Sequence, residues 1–339
     1  MRMKISVGLP TGMEGLMYPV PFSTPKDIVD IAVHAERLGY HSVWGNDHMT
    51  TQHYVREEFS TPPNYWEPLI TYGFIAAATK TLRMGTGMLI LPMRRDIVVT
   101  AKQIATLDQF SNGRVEIGIG VGAYREEFEA LQPNFKAHRG NMVDEGLKAL
   151  RQLFTERSAS HDGEYYQYRD VEMFPKPLQS TLPLYLGGNN PNAIQRAARA
   201  GDGWMPACVE VSKLRECTKM LHELAAESGR DGTKLEVAPQ YIVYVGKTRE
   251  QAIAKFKQSQ MYNHLVSLSK STLKDQGAVA HEDINLVGDA QHVIDLGLKL
   301  KEAGATHLLG LYFAVNTVPE LLEQMQIFAE EVMPHLVKA

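Results

Sequence analysis

Residues 113–128 read GRVEIGIGVGAYREEF, an alternating apolar run that ends in three glycines two residues apart and passes into an acidic, helix-compatible segment. Two readings compete for it. As a glycine loop it would cradle the phosphates of a dinucleotide; as a barrel strand it would bring its glycines to a crowded carboxyl end. The dinucleotide fingerprint G-x-G-x-x-G needs its third glycine one residue beyond Gly122, and no acidic residue ends a neighbouring strand ~20 residues later to hold a ribose. The spacing favours a strand. Gly118 and Gly120 then relieve crowding, while Gly122, Ala123, Tyr124 and Arg125 line the mouth.

On both sides of this strand, short apolar runs alternate with helical patterns. KISVGL (4–9) reads as a strand, and 25–39 as a helix whose Ile28, Ile31, Ala32 and Ala35 form one stripe, with Ser23 or Thr24 as N-cap and Gly39 at its stop. Strands follow at 41–45, 82–89, 114–120, 183–188, 202–207, 235–246 and 306–313. Helices fall between them at 66–80, 97–111, 139–155, 190–201, 211–228, from Thr248 onward, at 289–304 and at 318–333. Eight strands, each followed by at least one helix, demand parallel pairing with right-handed crossovers. The count favours a (β/α)8 TIM barrel spanning 1–339 as one domain; a doubly wound sheet with a second domain is the rival. Two stretches exceed a minimal barrel. Residues 156–182, polar and tyrosine-rich, suggest a hairpin insertion, and residues 265–287 lengthen the connection before the last strand, as a lid or as a solvated elaboration.

The 339 residues are 44% hydrophobic and 22% charged, with a formal net charge of −4, which suits a globular chain with a large core. Interspersed charges offer no basic face for nucleic acid and no polybasic patch for a membrane. Cys208 and Cys217 have neither metal-ligand nor disulfide-scaffold spacing. The opening MRMKISVGLP lacks the pattern of a signal peptide, and no apolar run reaches the ~20 residues of a membrane span. A cytoplasmic protein with a small-molecule substrate is expected.

In a barrel, chemistry gathers where strands end. After the second strand stands GNDHM, where Asp47 could hydrogen-bond a ligand and His48 could relay a proton near neutral pH; a purely structural pair is the plainer reading. After the third, GTGM (85–88) suits a flat ligand lying against backbone, or a simple steric role. After the fifth, GGNNPNAIQRAAR (187–199) places glycines and asparagines at a helix start, where free N–H groups and the helix dipole favour a phosphate. Capping accounts for Asn190 and Pro191 but leaves Gly187, Gly188 and Asn189 to a cradle. HDGEYY and HEDIN match no metal motif.

With these residues in place, the chain resembles the bacterial luciferase-like oxidoreductases. The likeness is carried by GTGMLILPMRRDIVVTAKQIATLDQFSNGRVEIGIGVGAYREEFEAL (85–131), FPKPLQSTLPLYLGGNNPNAIQRAARAGDGWMP (174–206) and LVGDAQHVIDLGLKLKEAGATHLLGLYF (286–313). The resemblance implies a barrel that uses reduced FMN or coenzyme F420. It implies that His48 is a catalytic proton donor, that Asp47, Tyr124 and Arg125 contact the ring with Gly122 at the turn, that Gly87 and Met88 form a cis peptide beneath the ring, and that Gly187, Gly188, Asn189 and Asn190 hold the phosphate. Two departures stand out. A glutamate common among F420-dependent alcohol-oxidising members falls at Ala123, with Glu126 and Glu127 displaced, and the Glu–His–His triplet of many FMN monooxygenases is here Asp47, His48, Met49. The implied activity is oxygenation of a small organic substrate with reduced FMN, with F420-dependent hydride transfer as the alternative. A flavin reductase and a second copy of the chain are the implied partners. A flavin-binding barrel without turnover and a flavin-free isomerase or lyase are the remaining readings.

Overall fold

The structure, a computed structural model, describes residues 2–133, 136, 138–268 and 280–338. Its strands, in chain order, are β1 (Lys4–Leu9), β2 (Ser42–Gly45), β3 (Arg83–Ile90), β4 (Val115–Gly120), β5 (Ala159–Asp162), β6 (Gln167–Val171), β7 (Leu184–Gly187), β8 (Gly203–Met205), β9 (Glu236–Val237), β10 (Gln240–Val245), β11 (Leu286–Gly288) and β12 (His307–Phe313). Ten of them pair in parallel in the order β11-β10-β12-β1-β2-β3-β4-β7-β8-β9.

The sheet closes. The strand expected at 235–246 is divided into β9 and β10 at Ala238 and Pro239, because proline brings no N–H to a ladder. Hydrogen bonds run past the break: Ala238 N–H donates to Trp204 O at 2.8 Å, Gln240 N–H to Pro206 O at 2.9 Å, and Leu309 N–H to Pro239 O at 3.1 Å. β9 and β10 are therefore one barrel position lying between β8 and β12. Counting them once, and setting aside β11 as an extra strand outside β10, turns ten strands into the eight of a (β/α)8 barrel.

Local chemistry accounts for the elements that surround this ring. The helix Pro25–Leu38 starts in a capping box, with Thr24 bonded to the backbone of Asp27 and the Asp27 side chain to that of Thr24, and stops at Gly39 with φ 82°, a left-handed conformation that glycine adopts without a Cβ penalty. Its stripe Ile28, Ile31, Ala32 and Ala35 is buried, as the periodicity predicts. The insertion at 156–182 contains the antiparallel hairpin β5–β6. The last helix, expected as one piece over 318–333, runs Val318–Ile327, widens into a π turn at Phe328–Val332 and resumes at Met333–Lys338; Pro334 lacks the N–H that a regular ladder would need there. β11 and the short helices His53–Glu58 and His281–Ile284 are additions to the predicted set, too short to carry a period. Residues 269–279 of the stretch expected as a lid lie outside the described residues. No described helix is long and apolar enough to cross a membrane.

Large side chains fill the barrel because glycines on facing strands make room for them. A Cβ on Gly8 would stand 2.1 Å from the Tyr312 ring, one on Gly85 2.4 Å from Trp44, and one on Gly203 2.4 Å from Tyr185, all inside van der Waals contact. Trp44, Tyr185, Met205, Ala238 and Leu309 form an inner cluster, with Met88 packed against it.

Beneath that cluster, the amino ends of the strands carry an ionic floor. Arg83 Nε donates to Glu116 Oε1 at 2.8 Å, Tyr185 donates its hydroxyl to Glu236 Oε2 at 3.0 Å, and Lys4 pairs with Glu236. His41 and His307 each lie 3.5 Å from one of these carboxylates. Burial works to raise both glutamates, but the neighbouring histidines with Arg83 or Lys4 outweigh it and hold each at about 2. A chain of polar atoms climbs from His307: its Nε2 is 2.7 Å from Ser6 Oγ, which is 2.6 Å from Ser42 Oγ, which accepts from Trp44 Nε1 at 2.8 Å. The indole can only donate, so the arrangement that uses every proton runs Trp44 to Ser42 to Ser6 to His307 Nε2, leaving the imidazole proton on Nδ1 beside Glu236.

Candidate active site

At the opposite pole, the ends of β2, β3, β4 and β7 bring together most of the residues singled out from the sequence. His48 follows β2, and its Nδ1 lies 3.0 Å from Glu127 Oε2. The same carboxylate accepts backbone N–H groups from Met49 at 3.1 Å and Thr50 at 3.4 Å. Burial pushes the Glu127 carboxyl up, but the His48 hydrogen bond and charge and these two N–H donors overcome it, so the net shift is downward. An ionised Glu127 only accepts. Nδ1 therefore carries a proton toward Glu127, although the Gln52 amide nitrogen also lies 3.2 Å from it, and Nε2 is left as the working nitrogen. No hydrogen bond to Nε2 forms among the described residues. A carboxylate behind an imidazole fixes its tautomer and stabilises its cation, the arrangement a proton donor and acceptor needs.

Glu127 is the main residue that sequence reasoning passed over. It appeared there only as displaced from Ala123, yet the helix Arg125–Leu131 turns it inward until it is 1% exposed. The signal was present in the paired acids Glu126 and Glu127 in the first turn of a helix directly after a strand.

Asp47 is held by partners within the protein. Its Oδ1 accepts from Arg94 Nη2 at 2.8 Å and its Oδ2 from Ile90 N–H at 3.1 Å. Arg94 reaches Glu67 as well, at 2.8 Å. Burial raises the Asp47 carboxyl, with Arg94 opposing. Both oxygens are thus engaged in bracing the end of β3 against the loop that presents His48.

The Gly87–Met88 peptide is cis, as the resemblance implies, and the β3–β4 register shifts between Thr86 and Leu89. The Met88 side chain lies across the mouth. A Cβ on Gly120 would stand 2.8 Å from Met88 Cε and one on Gly187 1.6 Å from Met88 Sδ. Met88 alone is thus enough to require a glycine at 187. Gly188 has φ 129° and its carbonyl accepts from Trp204 Nε1 at 2.8 Å. The Asn189 side chain pairs with both backbone groups of Ala207, at 2.8 and 2.9 Å, tying β7 to β8. Asn190 caps the helix Pro191–Ala200 by accepting from Ala193 N–H at 2.9 Å. What remains of the cradle is backbone: the N–H groups of Asn189, Asn190 and Asn192 form no hydrogen bond among the described residues, at the positive end of a helix dipole.

Gly122 has φ 81°, and its carbonyl accepts from Arg139 at 2.7 Å, so it serves the turn. Tyr124 is N-cap of the next helix, its ring 5.8 Å from that of His48. Arg125 does not join them. Its side chain is 86% exposed and pairs with Glu129, because one residue further along the helix points to solvent. Three residues outside the sequence-derived set complete the surroundings. The Tyr65 ring is 5.5 Å from His48, and Tyr65 donates to Gln52 Oε1 at 2.7 Å. Tyr54 and His264 come from the helices His53–Glu58 and Gln260–Leu268.

Residues 3–307 match the luciferase-like monooxygenase family, and the chain belongs to it. Among curated relatives, it is 33% identical over 186 residues to the F420-dependent glucose-6-phosphate dehydrogenase of Amycolatopsis mediterranei, a match that covers 53% of each chain. The chain thus spans about half the length of that relative. It is 28% identical over 304 residues to the oxygenase component of flavin-dependent trigonelline monooxygenase from Acinetobacter baylyi, covering 82% of this chain and 80% of the relative. A solved F420-dependent secondary alcohol dehydrogenase superposes with a TM-score of 0.80 over 99% of both chains at 23% identity, a likeness of fold.

Proposed function

We propose that the chain is a luciferase-like oxidoreductase of a single functional domain, a monooxygenase that uses reduced FMN and O2 on a small organic substrate. The observation that carries the reading is the Glu127–His48 pair at the carboxyl end of the barrel. The free N–H groups of Asn189, Asn190 and Asn192 would hold the phosphate, and Gly87 with Met88 would underlie the ring. When bound, the cofactor supplies the redox electrons. The protein's own part is to orient, to exclude water and to move one proton at His48 Nε2, while Glu127 keeps Nδ1–H in place and stabilises the imidazolium. The long alignment to the oxygenase component of a flavin-dependent monooxygenase supports this reading and, with it, a separate flavin reductase as partner.

F420-dependent hydride transfer is the second reading. It is supported by the higher identity to an F420-dependent relative and by the Asp47–His48 pair. The discriminating experiment titrates the protein with FMN and with F420 separately, following Trp44 and Trp204 fluorescence, and then measures oxygen uptake with reduced FMN. Binding of FMN with oxygen uptake supports the monooxygenase; binding of F420 alone supports hydride transfer; absence of binding of either below about millimolar overturns both.

A homodimer in the cytoplasm completes the proposal. Along the helix Pro68–Ala78, Ile70, Gly73, Phe74, Ala77 and Ala78 are exposed, an apolar stripe at i, i+3, i+4, i+7, i+8 that faces solvent. Phe74 is 68% exposed and Ile70 64%. Such a stripe is the inner face of a helix pair waiting for its partner.

A further inference from the structure

Three polar atoms beside His48 take no part in holding it. The Tyr54 hydroxyl lies 3.5 Å from that of Tyr124 and 3.3 Å from His264 Nδ1. Hydroxyl hydrogen bonds normally close to about 2.7–2.8 Å, so the three atoms converge in two long, weak hydrogen bonds. Ser267 is also within hydrogen-bonding reach of the Tyr54 hydroxyl, but it donates its own hydroxyl to the His264 carbonyl at 2.8 Å. His264 is 6% exposed, and burial pushes its imidazole down to about 4, which keeps it neutral at physiological pH. A buried donor or acceptor left this slack is costly. A ligand oxygen inserted among the three would take up the unused capacity.

Shape and charge narrow what that ligand is. The Tyr54 and Tyr124 rings stand 6.3 Å apart at 38°, and Tyr124 and Tyr65 flank His48, so the polar atoms are framed by aromatic faces. The charged groups nearby are carboxylates: Glu127 on His48, and Glu126, which accepts the His53 N–H at 2.9 Å. The cations of this region are already engaged. Arg56 bonds to Thr51 O and Thr50 Oγ1, Arg94 to Asp47 and Glu67, Arg125 to Glu129 and Arg139 to the Gly122 carbonyl. An anionic substrate would meet carboxylates with no free cation among the described residues to offset them.

We infer that Tyr54, Tyr124 and His264 form a substrate subsite that takes the hydroxyl or carbonyl oxygen of an uncharged, ring-bearing molecule and holds that molecule against His48. This rests on the oxidoreductase reading of the same site. Among the described residues the same charge balance weighs against a phosphate ester, such as the sugar phosphate in the name of the Amycolatopsis mediterranei relative.

The test uses three probes that share one ring: 4-methylphenol, toluene and 4-methylphenyl phosphate. Each is titrated calorimetrically into the protein with and without FMN or F420. 4-Methylphenol is expected to bind at least tenfold more tightly than toluene, and the phosphate ester more weakly than either. Tyr54→Phe and Tyr124→Phe, which each remove one oxygen, and His264→Phe should each cut 4-methylphenol affinity about tenfold while toluene stays within twofold. Toluene binding also reports that each variant is folded. Preference for the phosphate ester, or equal affinities for 4-methylphenol and toluene, overturns the subsite. Either result with normal cofactor binding leaves the redox reading standing; loss of cofactor binding alone strikes that reading and not the subsite, which the cofactor-free titrations still judge.

Discussion

Both poles of this barrel pair histidine with glutamate, yet the pairs differ in what surrounds them. At the floor, His41 and His307 lie 3.5 Å from Glu116 and Glu236, amid Arg83, Lys4, two serines and an indole. His307 is fully buried, and its Nε2 is committed to Ser6. At the mouth, Glu127 takes only one edge of His48, whose side chain keeps 12% exposure and a nitrogen with no partner among the described residues. The same two residue types build an ionic plug at one end and, in the proposed mechanism, a proton-transfer pair at the other. Between His307 and His48 the difference is Nε2, committed to Ser6 in the first and without a hydrogen bond among the described residues in the second.

That contrast is open to direct attack, and the largest effect is expected at the floor. Glu116→Gln leaves Arg83 without its buried counter-ion and should cost about 3 kcal/mol of stability in urea denaturation while leaving cofactor affinity within twofold. The pH dependence follows the same pair. Glu116 and Glu236 are held at about 2 in the fold, below the ~4.3 of an unfolded glutamate, so their contribution is complete above about pH 5 and drains away as pH falls through that window. A thermal midpoint that is flat from pH 5 down to pH 3 contradicts this account.

His48→Ala comes next. Turnover should drop ~100-fold with cofactor binding within about tenfold; undiminished turnover would remove His48 from the mechanism. Glu127→Gln keeps the shape of the pair but not its charge, and should cost about tenfold in turnover with little loss of stability compared with Glu116→Gln. If the two glutamines destabilise equally, the poles do not differ in the way proposed.

A smaller effect separates two roles for one glycine. Gly187→Ala drives a methyl into Met88 and should weaken cofactor binding by about fivefold, through displaced packing of the kind that costs ~1–3 kcal/mol in a core. Adding Met88→Ala should restore most of it, since the two residues touch and will not be additive. Failure of that rescue would return Gly187 to the phosphate. Smallest at the site itself is Phe74→Glu, which should convert a dimer to a monomer in sedimentation without altering turnover per chain.

The barrel was legible because its signal is redundant. Eight apolar runs separated by amphipathic helices leave few topologies, and β1, β4 and β12 fall at or within a residue or two of the expected bounds. The π turn near Pro334 and the break at Pro239 show where a single residue overrides a period. Candidate residues near strand ends were placed for the same reason that strands were: His48 and Tyr124 stand just past β2 and β4, and Gly87 and Met88 in the second half of β3. Glu127 and His264 were not, because each reaches the mouth through a helix whose rotation a sequence does not display. Gly187 and Asn189 show the opposite difficulty. Residue types that suit a phosphate also suit a neighbouring methionine and a neighbouring strand, and only coordinates separate those demands.

Trp44 occupies the ground between the poles, its ring in the cluster against which Met88 packs and its Nε1 on the serine chain that descends to His307. The protein therefore carries a built-in dye wired at both ends. Its emission will answer to a ring arriving above and to acid arriving below, so ligand titrations read from it are comparable only at one fixed pH. An acid titration without ligand becomes a way to listen to the floor alone.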